Sequence, residues 1–495
     1  MKNLIIFFTL ATLLYGYPLN AQINLNSGVS KAIEVVADDP ALKHASFGVC
    51  VIDVEANEVV AAHNPDISLI PASSLKTVTT ATALAILGSD FQFKTEIAYD
   101  GTLSSDGVLD GNLYIKGYGD PTLGSSEMVG YPGMNEVFRI FVEAIRQKGI
   151  KKITGLVVGD GTHFETAVSA PTWQWNDIGN YYGAGASGLN INENLYRLNF
   201  QLSSTLDKGP KVSSVDPEIP YLIFVNELGS AGKYSGDNAY IFGAPYTYTR
   251  HIRGTLPIGN REFTIKGSIP DPAYFVASTL VTKLEAVGIS TSKFSTTQRE
   301  LIREGNASNT KRIVIHTHKS PPLWQIVERA NRESVNVYCE TLLKEMGKKQ
   351  LGEGSTAAGL QAVQTFWEGR GLNWDGFVMK DGSGLSPRNT VTARHLAGLL
   401  RKVAKDQGIY SYFYESLPIA GQNGTLKNML KGTAAEGKLR AKSGSMSRVR
   451  SYSGYVRTKS GKMLSFSIIA NHFLGKSSLM RKKMETIMAA LAEMP

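Results

Sequence analysis

Along the chain, blocks of apolar and polar positions change their period, and the period sets the elements. Residues 46–63, SFGVCVIDVEANEVVAAH, hold two apolar runs around a polar stretch at 55–57, which predicts two strands joined by a turn. The next segment, PASSLKTVTTATALAILG, predicts a helix: Pro71 leads in, alanine and leucine dominate later, and Gly88 stops it. From residue 95 to 312 the texture shifts to glycine-rich turns and short β-branched runs such as TEIAYDGTL, GNLYIKG and KKITGLVVGD, a separate β-rich region. Helical patterns return at 322–330, 335–346, 355–370 and 392–405. Residues 438–442 then precede two strands, RVRSYSGYV and MLSFSIIANHF, around a turn at 459–461, and a helix closes the chain over 478–494. Strands at both ends with helices between them predict one discontinuous α/β domain, residues 22–94 and 313–495, whose sheet is completed from the C-terminal side. Residues 95–312 are then an inserted β-rich region, long enough for two small domains.

Composition narrows the class. With 495 residues, 42% apolar and 19% charged, the chain can bury several cores without disulfides or metals, which excludes disordered, collagen-like and coiled-coil classes. The net charge of +9 favours anionic surroundings, but the cations are scattered and no arginine-rich run is interleaved with aromatics, so nucleic acid is not the expected partner. The first residues, MKNLIIFFTLATLLYGYPLNAQ, have the layout of a secretory signal peptide over 1–21, with cleavage after Ala21. Its apolar core, residues 4–14, is shorter than the roughly 20 residues a membrane span needs, so a periplasmic or extracytoplasmic protein without a transmembrane anchor is expected. Cys50 and Cys339 read as buried apolar fillers, with their pairing left open. Among the histidines only His316 and His318 are close, at strand spacing, and no metal site is expected.

Three short segments carry chemistry. Ser73 and Lys76 open the first helix at i, i+3 spacing, so the amine can approach the hydroxyl and, with its pKa lowered by its surroundings, take the hydroxyl proton. The helix start would support negative charge developing near Ser73. The same spacing recurs at Ser290 and Lys293 and at Ser308 and Lys311, so it is weak alone. Ser334 and Asn336 lie at a junction between two helical patterns, where they can cap a helix or project into a cleft. Lys442, Ser443, Gly444 and Ser445 place a cation, a hydroxyl and a backbone of close approach at the end of a strand pattern, a set suited to a substrate carboxylate. Lys459, Ser460 and Gly461 repeat the letters between two strands, where a hairpin turn explains them.

The order of the three segments is informative. Ser334 follows Ser73 by 261 residues and Lys442 follows Ser334 by 108, the order of motifs in the penicillin-recognising serine enzymes. The chain resembles the D-alanyl-D-alanine carboxypeptidase/endopeptidase family that includes penicillin-binding protein 4, the S13 peptidases. GYGDPTL, WQWNDIGNYYGAGASGLNINEN, SPPL, DGSGLS and LPIAGQNGTL extend the match over roughly residues 45–495. The resemblance implies a penicillin-binding-protein/β-lactamase-like transpeptidase domain, an antiparallel five-stranded sheet flanked by helices, interrupted after the nucleophile helix.

It also implies roles. Ser73 would attack the carbonyl of a terminal D-Ala-D-Ala bond with Lys76 as general base. Ser334 would relay a proton to the leaving amine, and Asn336 would hold the substrate amide and Lys76. Lys442 would supply positive potential, Ser443 would bind the terminal carboxylate, and the amides of Ser73 and Ser445, beside Gly444, would form the oxyanion hole. Peptidoglycan stem peptides would be the substrates, β-lactams would trap the same serine, and no cofactor would be needed. Asp177 and Tyr182 match positions that bind a free amino group of the substrate's diamino acid in some members. The chain departs from the family in having Ser443 for the usual threonine, in the shifted arginine of Ser386-Pro387-Arg388, and at Ser447. An acyl-serine β-lactamase would share the motifs, but the long insertion argues against it. A silent wall-binding or antibiotic-sensing protein would leave the joint presence of Ser73, Lys76, Ser334, Asn336 and Lys442 without a role.

Overall fold

The computed structural model describes residues 27–308 and 310–495; the expected signal peptide and its cleavage site lie outside them. Its central element is a five-stranded sheet in the spatial order Leu439–Met446, Val449–Arg457, Met463–Asn471, Ser46–Asp53, Val59–His63. Every pairing is antiparallel, and Ser46 lies opposite Asn471, so the two ends of the described chain meet in one sheet. Met463–Asn471 is buried along almost its whole length because both faces are covered. On one face Val49, Val51, Phe466 and Ile468 pack with Val29, Ile33, Met484, Ile487 and Leu491 from helices Ser27–Ala37 and Ser477–Glu493. On the other, Cys50 and Ile52 meet Ala393 and Ala397 of helix Ala393–Ala404. Beyond that helix a larger core gathers Val78, Leu84, Ile326, Tyr338, Leu342, Trp367 and Leu400. Both cysteines are buried and free.

The stretch between residues 94 and 319 contributes four further sheets. It also contains two long helices that its β-like texture conceals, Met134–Gln147 and Pro272–Ala286. Val137, Phe138, Phe141, Val142 and Ile145 form one apolar stripe of the first, with polar residues between them. The exit from the inserted region differs from the expected position after residue 312. Ile313–Lys319 forms a strand antiparallel to Lys94–Tyr99, with Lys319 opposite Lys94, so it completes the inserted five-stranded sheet. The crossing comes at Ser320, whose amide donates to the Phe93 carbonyl while its hydroxyl accepts from the Phe93 amide, both at 2.9 Å. Outgoing and returning chain thus run side by side. Among the described residues no helix is long and apolar enough to cross a membrane.

Candidate active site

Ser73 sits in the tight helical turn Ala72–Leu75 that leads into helix Lys76–Leu87. The sheet holds this turn from one side: Asn471 accepts from the Ile70 amide at 2.6 Å and donates to its carbonyl at 3.0 Å, and the Ser451 hydroxyl donates to the Pro71 carbonyl. The loop 381–386 holds it from the other, since a Cβ on Gly384 would lie 2.0 Å from the Ala72 carbonyl oxygen. Ala72 itself is in the left-handed region at φ 46°, a conformation that costs energy for a residue with a Cβ and marks a forced turn.

Lys76 is buried beneath Ser73. Its Nζ lies within hydrogen-bond distance of Ser73 Oγ at 2.9 Å, and it donates to Asn336 Oδ1 at 2.6 Å and to the Ser383 carbonyl at 2.7 Å. All three are neutral oxygens. Burial pulls the amine's pKa down, while the more distant Cys339, Asp381 and Glu340 act in the other direction.

Ser334 and Asn336 occupy the junction between helices Leu323–Arg332 and Asn336–Leu351, as their position in the sequence requires. Ser334 has φ 61°, and its hydroxyl accepts from Lys442 Nζ at 2.9 Å. Lys442 also donates to the Ser443 carbonyl at 2.9 Å. Burial and then the charge of Lys76 push its pKa well below the usual lysine value, against Cys339 and Glu333. Lys442, Ser443, Gly444 and Ser445 lie within the edge strand Leu439–Met446 rather than at its end. Gly444 has no room for a side chain: a Cβ would meet Ser451 Oγ at 2.3 Å, the Pro71 carbonyl at 2.6 Å and the Ser73 amide nitrogen at 2.9 Å. The strand therefore lies directly on the Ser73 turn. Ser443 Oγ donates to Thr425 Oγ1 at 2.8 Å. Lys459, Ser460 and Gly461 form the hairpin turn between two strands, with Gly461 at φ 91°.

Ser73, Ser334, Asn336 and Ser445 line a cleft of about 850 Å³ together with Asp177 and Tyr182, while Lys76 and Lys442 are buried and reach it through Ser73 and Ser334. Tyr182 donates to Asp177 Oδ1 at 3.3 Å, and its carbonyl accepts from Asn336 Nδ2 at 2.7 Å, so the inserted region reaches the Lys76 network through one amide side chain. Burial raises the Asp177 carboxyl and, with the charge of Asp177, the Tyr182 phenol. Three residues that the motifs did not single out complete the site. Asp381 closes the loop 381–386 by accepting from the amides of Gly384 (2.8 Å) and Ser386 (2.6 Å), from Asn389 (2.8 Å) and from Trp173 Nε1 (2.8 Å). Glu340 accepts from the amides of Gly382 and Ser383, and Ser383 carries the carbonyl on Lys76. The only sequence trace of this loop was DGSGLS, whose paired glycines signal a close backbone approach. Among the described residues no group of three or more His, Cys, Asp or Glu side chains is arranged to hold a metal ion.

The model of the D-Ala-D-Ala carboxypeptidase 3 (S13) family matches residues 29–494, nearly the whole chain. The chain belongs to the S13 peptidase family. An S13 peptidase is an enzyme of the serine-type D-Ala-D-Ala carboxypeptidase class. This S13 chain is similar to the D-alanyl-D-alanine carboxypeptidase of Actinomadura sp., with 30% identity over 90% of this chain and 81% of the relative. It is also similar to the carboxypeptidase DacB of Haemophilus influenzae, with 22% identity over 93% and 90% of the two chains. The solved structure of penicillin-binding protein 4 from Haemophilus influenzae superposes with a TM-score of 0.77 at 20% identity, covering 93% of this chain and 97% of that one, which shows the shared fold.

Proposed function

We propose that this S13 peptidase is exported and hydrolyses D-alanyl bonds of peptidoglycan stem peptides through an acyl-enzyme on Ser73. The observation that carries the reading is the buried Lys76 amine, 2.9 Å from Ser73 Oγ and hydrogen-bonded to neutral oxygens alone. Desolvation favours the neutral amine, which is the form that accepts a proton. Lys76 takes the Ser73 proton as Oγ attacks the carbonyl of the scissile D-alanyl bond. The backbone amides of Ser73 and Ser445 stabilise the oxyanion, a contribution of about 3–4 kcal/mol per donor. Ser334, held by Lys442, relays the proton taken up by Lys76 to the departing amine as the bond breaks, which returns Lys76 to its neutral form. Water then gives a proton to Lys76 as it attacks the ester, and that proton passes to Ser73 Oγ as the shortened peptide is released.

At the carboxylate end, Lys442 provides the charge and Ser443, with Thr425, the hydroxyl contacts. At the opposite end, Asp177 and Tyr182 receive an amino group of the diamino acid, which allows terminal D-alanine and D-alanyl crosslinks to serve as substrates alike. A β-lactam acylates the same serine, its ring amide taking the place of the scissile bond. One relative supports this extension: penicillin-binding protein 4 of Haemophilus influenzae has been solved in complex with a β-lactam.

The test pairs two readouts on wild type and Ser73→Ala. Wild type is expected to acquire one covalent fluorescent penicillin and to release D-alanine or crosslink fragments from purified stem peptides. Either activity persisting in Ser73→Ala would remove Ser73 from the mechanism.

A further inference from the structure

Helix Asn336–Leu351 starts at the cleft and carries Glu340 one turn further in, where it is 3% exposed. Oε1 accepts from the Ser383 amide at 2.7 Å and the Gly382 amide at 3.1 Å, and Oε2 accepts from the Gly382 amide at 3.1 Å. The carbonyls of these two residues point to the nucleophile helix. Thr79 Oγ1 donates to Gly382 at 2.6 Å, and Lys76 Nζ donates to Ser383 at 2.7 Å. Gly382 fits here only without a side chain, because a Cβ would lie 2.6 Å from the Cys339 carbonyl oxygen.

The consequence lies in the shape of a neutral amine. Such an amine has two hydrogens and one lone pair. Lys76 has three oxygen neighbours, and two of them, Asn336 Oδ1 and the Ser383 carbonyl, can only accept. If these take the two hydrogens, the lone pair is left facing the third neighbour, the Ser73 hydroxyl. Without the Ser383 carbonyl the amine is free to rotate and to offer Ser73 a hydrogen instead.

We propose that Glu340 is the positioning residue for Lys76: by gripping the Gly382 and Ser383 amides it fixes the Ser383 carbonyl, and so aims the amine's lone pair at Ser73. This rests on the reading of Lys76 as the base. The charged groups around Glu340 are Asp381 on the loop, Lys76 on the nucleophile helix and Lys344 on its own helix. Burial and then Asp381 push the Glu340 carboxyl up to about 7. The grip needs acceptor oxygens rather than charge, so a neutral side chain with a carbonyl in the same place preserves it.

The experiment compares Glu340→Gln, Glu340→Met and Glu340→Asp with wild type, measuring separately the reversible affinity for a fluorescent penicillin and the first-order rate of acylation. Met keeps the volume without an acceptor, and Asp keeps the carboxyl but withdraws it by one methylene, so Asp answers the question if Met does not fold. Met and Asp are expected to acylate roughly 10- to 100-fold more slowly with unchanged reversible affinity, the scale of loss for a misplaced reacting group. Gln is expected to restore most of the rate. Wild-type acylation rates in Met and Asp, a Gln variant as slow as these, or a loss confined to reversible affinity would each overturn the proposal. Acylation that persists at the wild-type rate in Lys76→Met would instead overturn the reading of Lys76 as the base, so the two failures are distinct.

Discussion

Lys442 donates to two neutral oxygens, Ser334 Oγ and the Ser443 carbonyl, and lies close enough to Lys76 for its charge to matter. Its lowered pKa means that the free enzyme releases this proton at a pH below the ordinary lysine value. A substrate carboxylate arriving beside it favours the charged form and moves the pKa back up. Between the two values, binding must therefore draw protons from solution, approaching about one per site. Titration calorimetry of the Ser73→Ala protein with acetyl-D-Ala-D-Ala, in buffers of different ionisation enthalpy, measures that uptake directly. Binding heats independent of the buffer throughout the pH range below the ordinary lysine value would show that binding leaves the charge of Lys442 unchanged, against this expectation. At this scale the sequence revealed much: the i, i+3 spacing of Ser73 and Lys76 becomes a 2.9 Å contact because it spans one helical turn. Glu340 was not legible. A carboxylate on a buried helix face has no pattern of its own, and its meaning comes from a loop about 40 residues away in the chain, beyond the range of local spacing.

Among the elements, the edge strand Leu439–Met446 and the turn Ala72–Leu75 must touch backbone to backbone for the site to exist. Gly444 is the point of contact. A methyl there would meet the Pro71 carbonyl oxygen at 2.6 Å and the Ser73 nitrogen at 2.9 Å, both backbone atoms with no rotamer by which to yield. Gly444→Ala is thus expected to cost about 1–3 kcal/mol of stability through overpacking. It should also lower acylation by roughly 100-fold, because the displaced turn carries both the proposed nucleophile and a proposed oxyanion donor. Denaturant titration and penicillin labelling check the two effects, and a folded, fully active variant would refute the contact. Gly461, in the copy of the motif, has no heavy atom near its missing Cβ but sits at φ 91°. The same letters therefore obey different constraints: packing at Gly444, backbone conformation at Gly461. The sequence revealed the strands of the central sheet, whose apolar runs are long, and missed the helices Met134–Gln147 and Pro272–Ala286. Their apolar stripes are embedded in glycine-rich surroundings that read as β.

At the scale of the whole molecule, the inserted region contributes to the site, and buried polar contacts join the apolar ones that hold it there. Glu193, from the inserted region, accepts from Arg329 Nη2 at 2.7 Å, from the Tyr338 hydroxyl at 3.0 Å and from Ser125 at 2.8 Å, drawing two helices and one loop to one carboxylate. The Arg329 and Glu193 side chains are only 15% and 8% exposed, so solvent screens the pair little. Removing one charge strands the other: Glu193→Gln keeps the shape and leaves a largely buried guanidinium without its counter-charge. The expected cost is about 2–4 kcal/mol in urea unfolding, somewhat below the range for fully buried pairs because Arg329 keeps some access to water and a longer contact with Glu127 at 3.8 Å. Glu136 and Arg139 supply the control, an equally short pair at 2.6 Å on an exposed helix face, where Glu136→Gln should leave the urea midpoint unchanged. If both variants shifted the midpoint equally, burial would not be what gives the Glu193 contact its weight. If neither did, the charge of Glu193 would add nothing to this junction, which would rest on its other contacts, among them Trp173 with Asp381 and Tyr182 with Asn336.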